Sequence, residues 1–208
     1  MDRSAFLDRV RTRLAGTIAP DLPGELPRTM VSGDGRGFDR FAEELAALGG
    51  EARSVSPDEL EEAVKAAAEG CTRAVLGADL GPYADRVAGG LAAAGCAVLE
   101  PGREGAAAAD LGVTGAVFGV AATGSVLLSS GPGAPRTTGL LPERHLAILP
   151  RDRLLPGLEE LIGRLPAATG SASQMVLVTG PSRTSDIEMT PVLGVHGPEH
   201  VIVLMVGG

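Results

Sequence analysis

The sequence predicts an α/β protein with three layers, in which helices cover both faces of a mainly parallel sheet. From residue 37 onward, short apolar segments rich in valine alternate with amphipathic helical stripes. Thirty glycines and fifteen prolines supply many tight turns. One tyrosine and no tryptophan leave a core of leucine, valine and alanine. A strand, helix, strand order with short connections is typical of parallel sheets.

Residues 1–36 are predicted to form a short N-terminal arm, and residues 37–208 the α/β domain. A helix is expected from Asp2 to Leu14, with Phe6, Leu7 and Val10 on one face. Several prolines and glycines follow between residues 19 and 36, which predicts an irregular connection with a short strand at 29–31.

In the first half of the domain, predicted helices and strands alternate regularly. Phe38, Phe41 and Leu45 form a helical stripe that Gly49 and Gly50 end. Ser56-Pro57-Asp58-Glu59 has the spacing of a capping box and predicts the start of the next helix, which ends at Gly70. Strands are predicted at 52–55, 74–76 and 97–99, and a further helix at 82–94.

After Pro101 the pattern changes. Strands near 117–121 and 125–128, joined by a Thr123-Gly124 turn, predict a hairpin added to the sheet. Apolar runs at 146–149, 175–179 and 201–206 predict three further strands, and Asp152 is expected to cap a helix ending near Leu165.

Charge and hydropathy exclude several classes of protein. A formal net charge of −8 and a pI near 4.9 disfavour nucleic-acid binding and anionic membrane surfaces, which both require basic patches. No apolar run approaches the roughly 20 residues of a membrane span. The first residues lack the apolar core of a signal peptide. We therefore expect a cytoplasmic protein, and a homo-oligomer is left open.

The two cysteines, Cys71 and Cys96, stand alone without metal-ligand spacing. Two isolated thiols cannot hold an iron–sulfur cluster, and both are expected to be buried. The chain is therefore predicted to bind no redox cofactor of its own.

The polar segment after the strand at 175–179 is the first candidate site. Gly180 allows close backbone approach, Arg183 offers a planar fork of donors, and hydroxyls stand at Ser182 and Thr184. This set suits a carboxylate or phosphate. In the alternative interpretation, Ser182 is the N-cap of a helix with Asp186 and Glu188 near its start.

A second candidate is the stiff loop Gly131–Arg136, which presents Arg136 to an anion. His145 and His196 each have a structural and a functional interpretation, and both stay open. The histidines at 145, 196 and 200 lack the helical spacing of metalloenzyme motifs, so no metal is predicted.

Four motifs together resemble the lactate-utilisation protein C family, also called LutC/YkgG or the LUD domain. They are Ala122-Thr123-Gly124-Ser125-Val126-Leu127-Leu128, Leu140-Leu141-Pro142-Glu143-Arg144-His145, Gly180-Pro181-Ser182-Arg183-Thr184-Ser185-Asp186-Ile187-Glu188 and Gly194-Val195-His196-Gly197-Pro198. The resemblance covers roughly residues 37–206. It implies a fold like the NagB/RpiA/CoA-transferase group. It also implies oxidation of L-lactate to pyruvate together with partner subunits that carry iron–sulfur clusters.

Position by position, the resemblance places an anion-binding turn at Thr123, Gly124 and Ser125. Arg136 and Arg183 would clamp a small anionic metabolite, and Glu188 or His196 would transfer a proton. The remaining predicted binding residues are His145, Gly180, Ser182, Thr184 and Asp186. Ala122 departs from the acid that many members carry before the Thr-Gly pair.

Two other functions remain open. The chain is alternatively a stand-alone enzyme of the NagB/RpiA/CoA-transferase-like group acting on a phosphorylated sugar or acyl thioester, although the catalytic glutamate motif of CoA transferases is absent. It is alternatively a lactate-sensing or scaffold subunit without catalysis.

Overall fold

The computed structural model describes residues 2–16, 37–131, 133–168, 172–185 and 191–207, with only the backbone at 166–168, 184–185 and 191–193. The chain forms two compact units, residues 1–30 and 31–208. The predicted domain boundary at residue 36 stays a prediction. The predicted strand at 29–31 lies outside the described residues.

The first unit contains one described helix, α1 (Arg3–Leu14). None of its residues is buried, so Phe6, Leu7 and Val10 present their apolar side chains to solvent.

The second unit contains the remaining described elements. The helices are α2 (Gly37–Ala47), α3 (Leu60–Ala67), α4 (Ala84–Ala93), α5 (Arg103–Ala108) and α6 (Leu158–Ala168). The strands are β1 (Glu51–Val55), β2 (Arg73–Leu76), β3 (Ala97–Leu99), β4 (Leu111–Gly115), β5 (Phe118–Val120), β6 (Ser125–Ser130), β7 (Arg144–Pro150), β8 (Leu154–Leu155), β9 (Gln174–Val178), β10 (Arg183–Ser185), β11 (Pro191–Leu193) and β12 (His200–Val206).

Six strands form a parallel sheet in the order β1-β12-β7-β4-β2-β3. β2 and β4 are neighbours in this sheet. After β2 the chain continues to β3 on one side of this pair, and after β4 the next strand of the sheet is β7, on the other side. The carboxyl ends of β2 and β4 therefore flank a topological switch point, which is where open α/β sheets bind ligands.

Side chains alternate between the two faces of this sheet, as the period of a strand requires. On one face Leu146 and Ile148 of β7 pack in a cluster with Leu60 of α3 and Leu91 of α4. On the other face Ala147 and Leu149 pack with Phe41 and Leu45 of α2. The predicted three-layer α/β fold is therefore confirmed.

The hairpin predicted around Thr123-Gly124 forms as β5 and β6, but it does not join the parallel sheet. It belongs to a second sheet in the order β8-β5-β6-β9. Val126 of β6 faces the main sheet, and Leu127 faces α6. Apolar side chains therefore lie on both faces of the hairpin.

The start of α3 follows the predicted capping box. The Ser56 N–H donates to Glu59 Oε2 at 2.9 Å, and the Glu59 N–H donates to Ser56 Oγ at 3.3 Å. Each side chain satisfies a donor that the first turn leaves free.

The structure corrects the predicted element order at several points. The strand β4 was not predicted, because its two glycines and one threonine obscure the apolar pattern. Asp152 lies in a short 3-10 turn, and the following helix begins only at Leu158. The strand before Gly180 belongs to the second sheet, where it pairs antiparallel with β6, so the argument from parallel strand ends does not apply to it.

Within the described ranges, no helix combines the length and apolar character that crossing a membrane requires.

Candidate functional site

A cavity of about 220 Å³ lies at the switch point, between the two sheets. Gly77 and Asp79, directly after β2, and Thr114 of β4 form its floor on the parallel sheet. Its walls are built by residues of β6, of the loop between β6 and β7, and of β9: Leu128, Ser129, Ser130, Ala134, Pro135, Arg136, Thr138, Gly139, Leu140, Gln174, Val176 and Val178.

Arg136 is the cation of this cavity. Its Nη1 donates to the Gln174 side-chain oxygen at 3.3 Å. In the part of the chain that the structure describes, no carboxylate pairs with this guanidinium. The predicted anion-binding role of Arg136 thus coincides with a cavity, and its charge is available to a ligand.

Thr138 lines the cavity, but its hydroxyl is buried within the protein. The residue is 1% exposed, and its Oγ1 has no hydrogen-bond partner among the described residues. Its N–H donates to the Pro135 carbonyl at 3.0 Å, which fixes the turn. Gly112 of β4 lies beneath it, since a Cβ there would come within 1.8 Å of the Thr138 carbonyl oxygen. Strand β4 therefore tolerates only glycine at this contact.

His145 lies behind the cavity wall and is fully buried. Its Nε2 and the Thr114 Oγ1 are 2.8 Å apart, and Thr114 lines the cavity. Burial lowers the pKa of His145 from 6.5 to about 4, so the imidazole is neutral at pH 7. His145 therefore lies next to two lining residues, Thr114 and Gly139, without lining the cavity itself.

Asp79 is a site residue that the sequence analysis missed. The residue as a whole is exposed, but loss of solvent around its carboxyl raises the pKa of that group. A hydrogen bond from the Gly115 N–H lowers the same pKa and opposes part of the shift. Asp79 also lines a second cavity, of about 240 Å³, with Tyr83 and Arg153. Its position just beyond the predicted strand at 74–76 was the available signal.

Thr123 and Ser125 lie at the β5–β6 turn, outside the cavity lining. Ser125 Oγ lies 2.7 Å from Thr123 Oγ1 and 2.8 Å from Thr179 Oγ1. Gly124 has a φ of +61°, and a Cβ there would lie 2.4 Å from the Leu45 backbone nitrogen. This turn therefore packs tightly against α2.

Gly180 and Arg183 contact the end of α2. A Cβ on Gly180 would lie 2.9 Å from Leu48 Cβ, and the Arg183 Nη2 donates to the Leu48 carbonyl. Arg183 opens β10, which pairs with β11, so the alternative of a helix starting at Ser182 is wrong. The Thr184 backbone lies in the same strand, opposite Val192.

Ser182 and His196 are close neighbours. The Ser182 N–H donates to the Pro198 carbonyl at 2.9 Å, and the His196 N–H donates to Ser182 Oγ at 3.4 Å. Gly197 packs against Ser182 and Leu140, and Leu140 lines the cavity. Asp186 and Glu188 lie outside the described residues.

The predicted site residues thus do not form one cluster. Arg136 lines the cavity, and His145 lies directly behind it. The Thr123 turn and the Gly180–Arg183 segment contact α2, and neither contributes to the cavity lining. Their predicted roles in anion binding stay predictions.

One group of possible metal ligands lies at the amino ends of β7 and β12. Ligand atoms of Glu143, Glu199 and His200 are all within 4.8 Å of one another. All three residues are exposed, and exposed acidic groups commonly cluster without an ion. The prediction that no metal is bound stays a prediction.

Cys71 and Cys96 are both buried and free, as predicted. The Cys96 thiol donates to the Cys71 carbonyl at 3.1 Å. Burial raises the pKa of both thiols, so they are protonated and unreactive at neutral pH.

The fold and the cavity define a class of protein: a three-layer α/β domain with a cavity at a topological switch point, between its parallel sheet and a second sheet. The LUD domain family matches residues 38–206. The chain belongs to the LUD domain family.

Comparison with curated proteins gives partial matches. Lactate utilization protein C of Halalkalibacterium halodurans is 36% identical over 102 residues, which cover 47% of this chain and 44% of that protein. The protein of the same name from Exiguobacterium sp. is 35% identical over 111 residues, covering 51% and 48%. Uncharacterized protein YkgG of Escherichia coli is 35% identical over 102 residues, covering 47% and 44%. These matches span about half the length of the relatives.

Among solved structures, the chain is similar to the crystal structure of a DUF162 family protein from Deinococcus radiodurans. The TM-score is 0.63 with 20% sequence identity, over 83% of this chain and 98% of that one. This likeness supports the α/β fold.

Proposed function

We propose that this chain is a cytoplasmic subunit of a lactate-utilisation system and that its cavity binds a small carboxylate such as L-lactate or pyruvate. Membership of the LUD domain family and the names of the relatives support the role in lactate utilisation. The cavity supports the choice of ligand.

The observation that carries this proposal is the presence of Arg136 in a largely apolar cavity. The Arg136 guanidinium has no carboxylate partner in the described ranges. Its planar donors suit a carboxylate ligand, which accepts two hydrogen bonds from such a group. Leu128, Val176 and Val178 offer apolar contacts for the rest of the ligand. At about 220 Å³, the cavity is smaller than the roughly 300–1,000 Å³ typical of sites for drug-sized ligands, which favours a small metabolite.

In this proposal the electrons of lactate oxidation pass to partner subunits. The two cysteines are buried and free, and iron–sulfur clusters need several thiolate ligands. The clusters therefore belong to the partners, and this chain contributes ligand binding. Glu188 and His196 keep their predicted roles in proton transfer, and Asp79 is a further candidate acid or base because its raised pKa and position suit that task.

The purified chain is expected to carry no visible chromophore, because its two cysteines stand alone and its sequence has no nucleotide-binding fingerprint. An absorption spectrum after gel filtration tests this expectation. A stoichiometric visible band that stays with the protein would contradict it.

Arg136→Lys is expected to weaken binding of L-lactate or pyruvate by roughly 1–3 kcal/mol, because lysine keeps the charge but loses the planar fork. Isothermal titration calorimetry measures the effect. Arg151→Lys is the control, since Arg151 donates to the Gly207 carbonyl at 3.3 Å and lies outside the cavity lining. Equal affinities of the two variants would remove Arg136 from the site.

Arg183→Lys in the same titration tests the predicted second clamp. Weakened binding would bring the Pro181–Glu188 segment into the site, and unchanged binding would assign Arg183 to its contact with Leu48.

The stand-alone enzyme is retained as a second candidate because Asp79 lies at the switch point with a raised pKa. Turnover by the purified chain would favour this candidate. Activity only with iron–sulfur partner subunits would favour the complex, and ligand binding without any effect on rate would favour a sensor.

A further inference from the structure

We infer that the second cavity, which also has Asp79 in its lining, binds a small α-amino acid as a zwitterion. The carboxylates of Asp79 and Asp152 hold the ammonium group of this ligand, and the Arg153 guanidinium holds its carboxylate. The inference goes beyond the proposed function and does not rest on it, because it concerns a different cavity and a different class of ligand.

The second cavity lies at the carboxyl edge of the parallel sheet. Its lining includes Asp79 and Tyr83, which follow β2, Gly115, which ends β4, and Arg153, which follows β7. These three strands are adjacent, in the order β7-β4-β2. The second cavity is therefore at the switch point, where open α/β sheets bind ligands.

The charged side chains of the second cavity are of both signs. Asp79 and Asp152 supply two carboxylates, and Arg153 supplies one guanidinium. In the described part of the chain, none of these three side chains forms an ion pair. All three residues are exposed to solvent, so a ligand that enters the cavity can meet them.

This set of charges decides the class of ligand. The two carboxylates repel a purely anionic ligand, and the guanidinium repels a purely cationic one. A zwitterion carries an ammonium group for the carboxylates and a carboxylate for the guanidinium. An α-amino acid joins these two groups through a single carbon atom, so both fit within one small cavity.

Close backbone contacts hold Asp79 in place. A Cβ on Gly77 would lie 2.3 Å from Asp79 Oδ1, and a Cβ on Gly115 would lie 2.1 Å from the Asp79 carbonyl oxygen. The Gly115 N–H also donates a hydrogen bond to the Asp79 carboxyl. A carboxyl that is already positioned loses little freedom when it binds an ammonium group, which favours binding.

The rest of the lining limits the size of the amino acid. Leu80, Ile148 and Pro150 are apolar, and Tyr83 adds an aromatic ring, whose face attracts cations. At about 240 Å³, the second cavity is smaller than the roughly 300–1,000 Å³ typical of sites for drug-sized ligands. An amino acid with a short apolar side chain, such as alanine or valine, suits this volume.

The test is calorimetric titration of the full chain with L-alanine, L-valine and L-alaninamide. L-Alaninamide keeps the ammonium group and the methyl group of alanine but lacks the carboxylate. A hydrogen bond to a charged group corresponds to at least about a tenfold change in affinity. Wild-type protein is therefore expected to bind L-alanine or L-valine at least about tenfold more tightly than L-alaninamide.

Two variants test the two ends of the ligand separately. Arg153→Gln removes the partner of the carboxylate, and Asp152→Asn removes a partner of the ammonium group. Each should weaken binding of the amino acid about tenfold. The matched controls are Arg103→Gln and Asp85→Asn, which change exposed residues outside the linings of both cavities and should leave the affinity unchanged.

Several results would overturn the inference. Wild-type protein that binds neither amino acid would do so, as would equal affinity for L-alanine and L-alaninamide. Wild-type affinity in both Arg153→Gln and Asp152→Asn would also do so. If Arg136→Lys weakens binding of the amino acid while Arg153→Gln does not, the amino acid occupies the first cavity instead. The proposed function stands or falls separately, on the titration of Arg136→Lys with L-lactate or pyruvate.

Discussion

Gly112→Ala is expected to lower the free energy of unfolding by about 3 kcal/mol, the upper end of what overpacking a core costs. The added Cβ would come within 1.8 Å of the Thr138 carbonyl oxygen and 3.1 Å of Pro142 Cγ. Because the obstacle is backbone, either β4 or the turn above it must shift. The same shift would displace Thr138 from the cavity.

Urea denaturation measures this loss. Gly163→Ala in α6 is the control, because a Cβ there meets nothing within 4 Å. Alanine is favoured over glycine in a helix, so the control should gain up to about 1 kcal/mol. A Gly112→Ala protein as stable as wild type would show that the contact with the Thr138 turn is loose.

Acidification from pH 7 to pH 4 is expected to remove about 3 kcal/mol of stability through His145 alone. The imidazole has a pKa of about 4 in the folded chain and 6.5 in the unfolded chain. Between these values the unfolded state binds more protons, so stability falls as the pH falls from about 6.5 to about 4. Above pH 6.5 the contribution of His145 is constant.

Urea denaturation across this pH range, for wild type and for His145→Gln, isolates the effect. The variant should be less stable at pH 7 but should lose less on acidification. Parallel acid profiles for His145→Gln and wild type would show that His145 titrates normally.

Much of the fold was predictable because its signals are local. The capping box at Ser56–Glu59 needs four residues, and the stripe of Phe38, Phe41 and Leu45 needs two helical turns. The Thr123-Gly124 turn likewise predicted the hairpin. Which sheet the hairpin joins was not predictable, because Val126 and Leu127 are both apolar and both faces of the hairpin are covered.

The candidate site was predictable only in part. Arg136 and His145 were named from their motifs, and both lie at the cavity. Asp79 and Thr114 were not, because nothing local distinguishes an aspartate after a strand or a threonine among glycines. The pairing of β2 with β4 places Asp79 and Thr114, which are 35 positions apart in the sequence, at the same edge of the parallel sheet.

The pairing of β1 has a consequence for biosynthesis. Its neighbour in the sheet is β12, with Glu51 opposite Ile202, so about 150 residues separate the two strands along the chain. While a ribosome synthesises the chain at roughly 5–20 residues per second, β1 has emerged long before its neighbour exists. The apolar face of α2 packs against β7 and β12 in the folded chain, so it is not fully covered until β12 has been synthesised. The sheet is therefore completed only once residues 200–206 have left the ribosome, and until then this edge of β1 is unpaired.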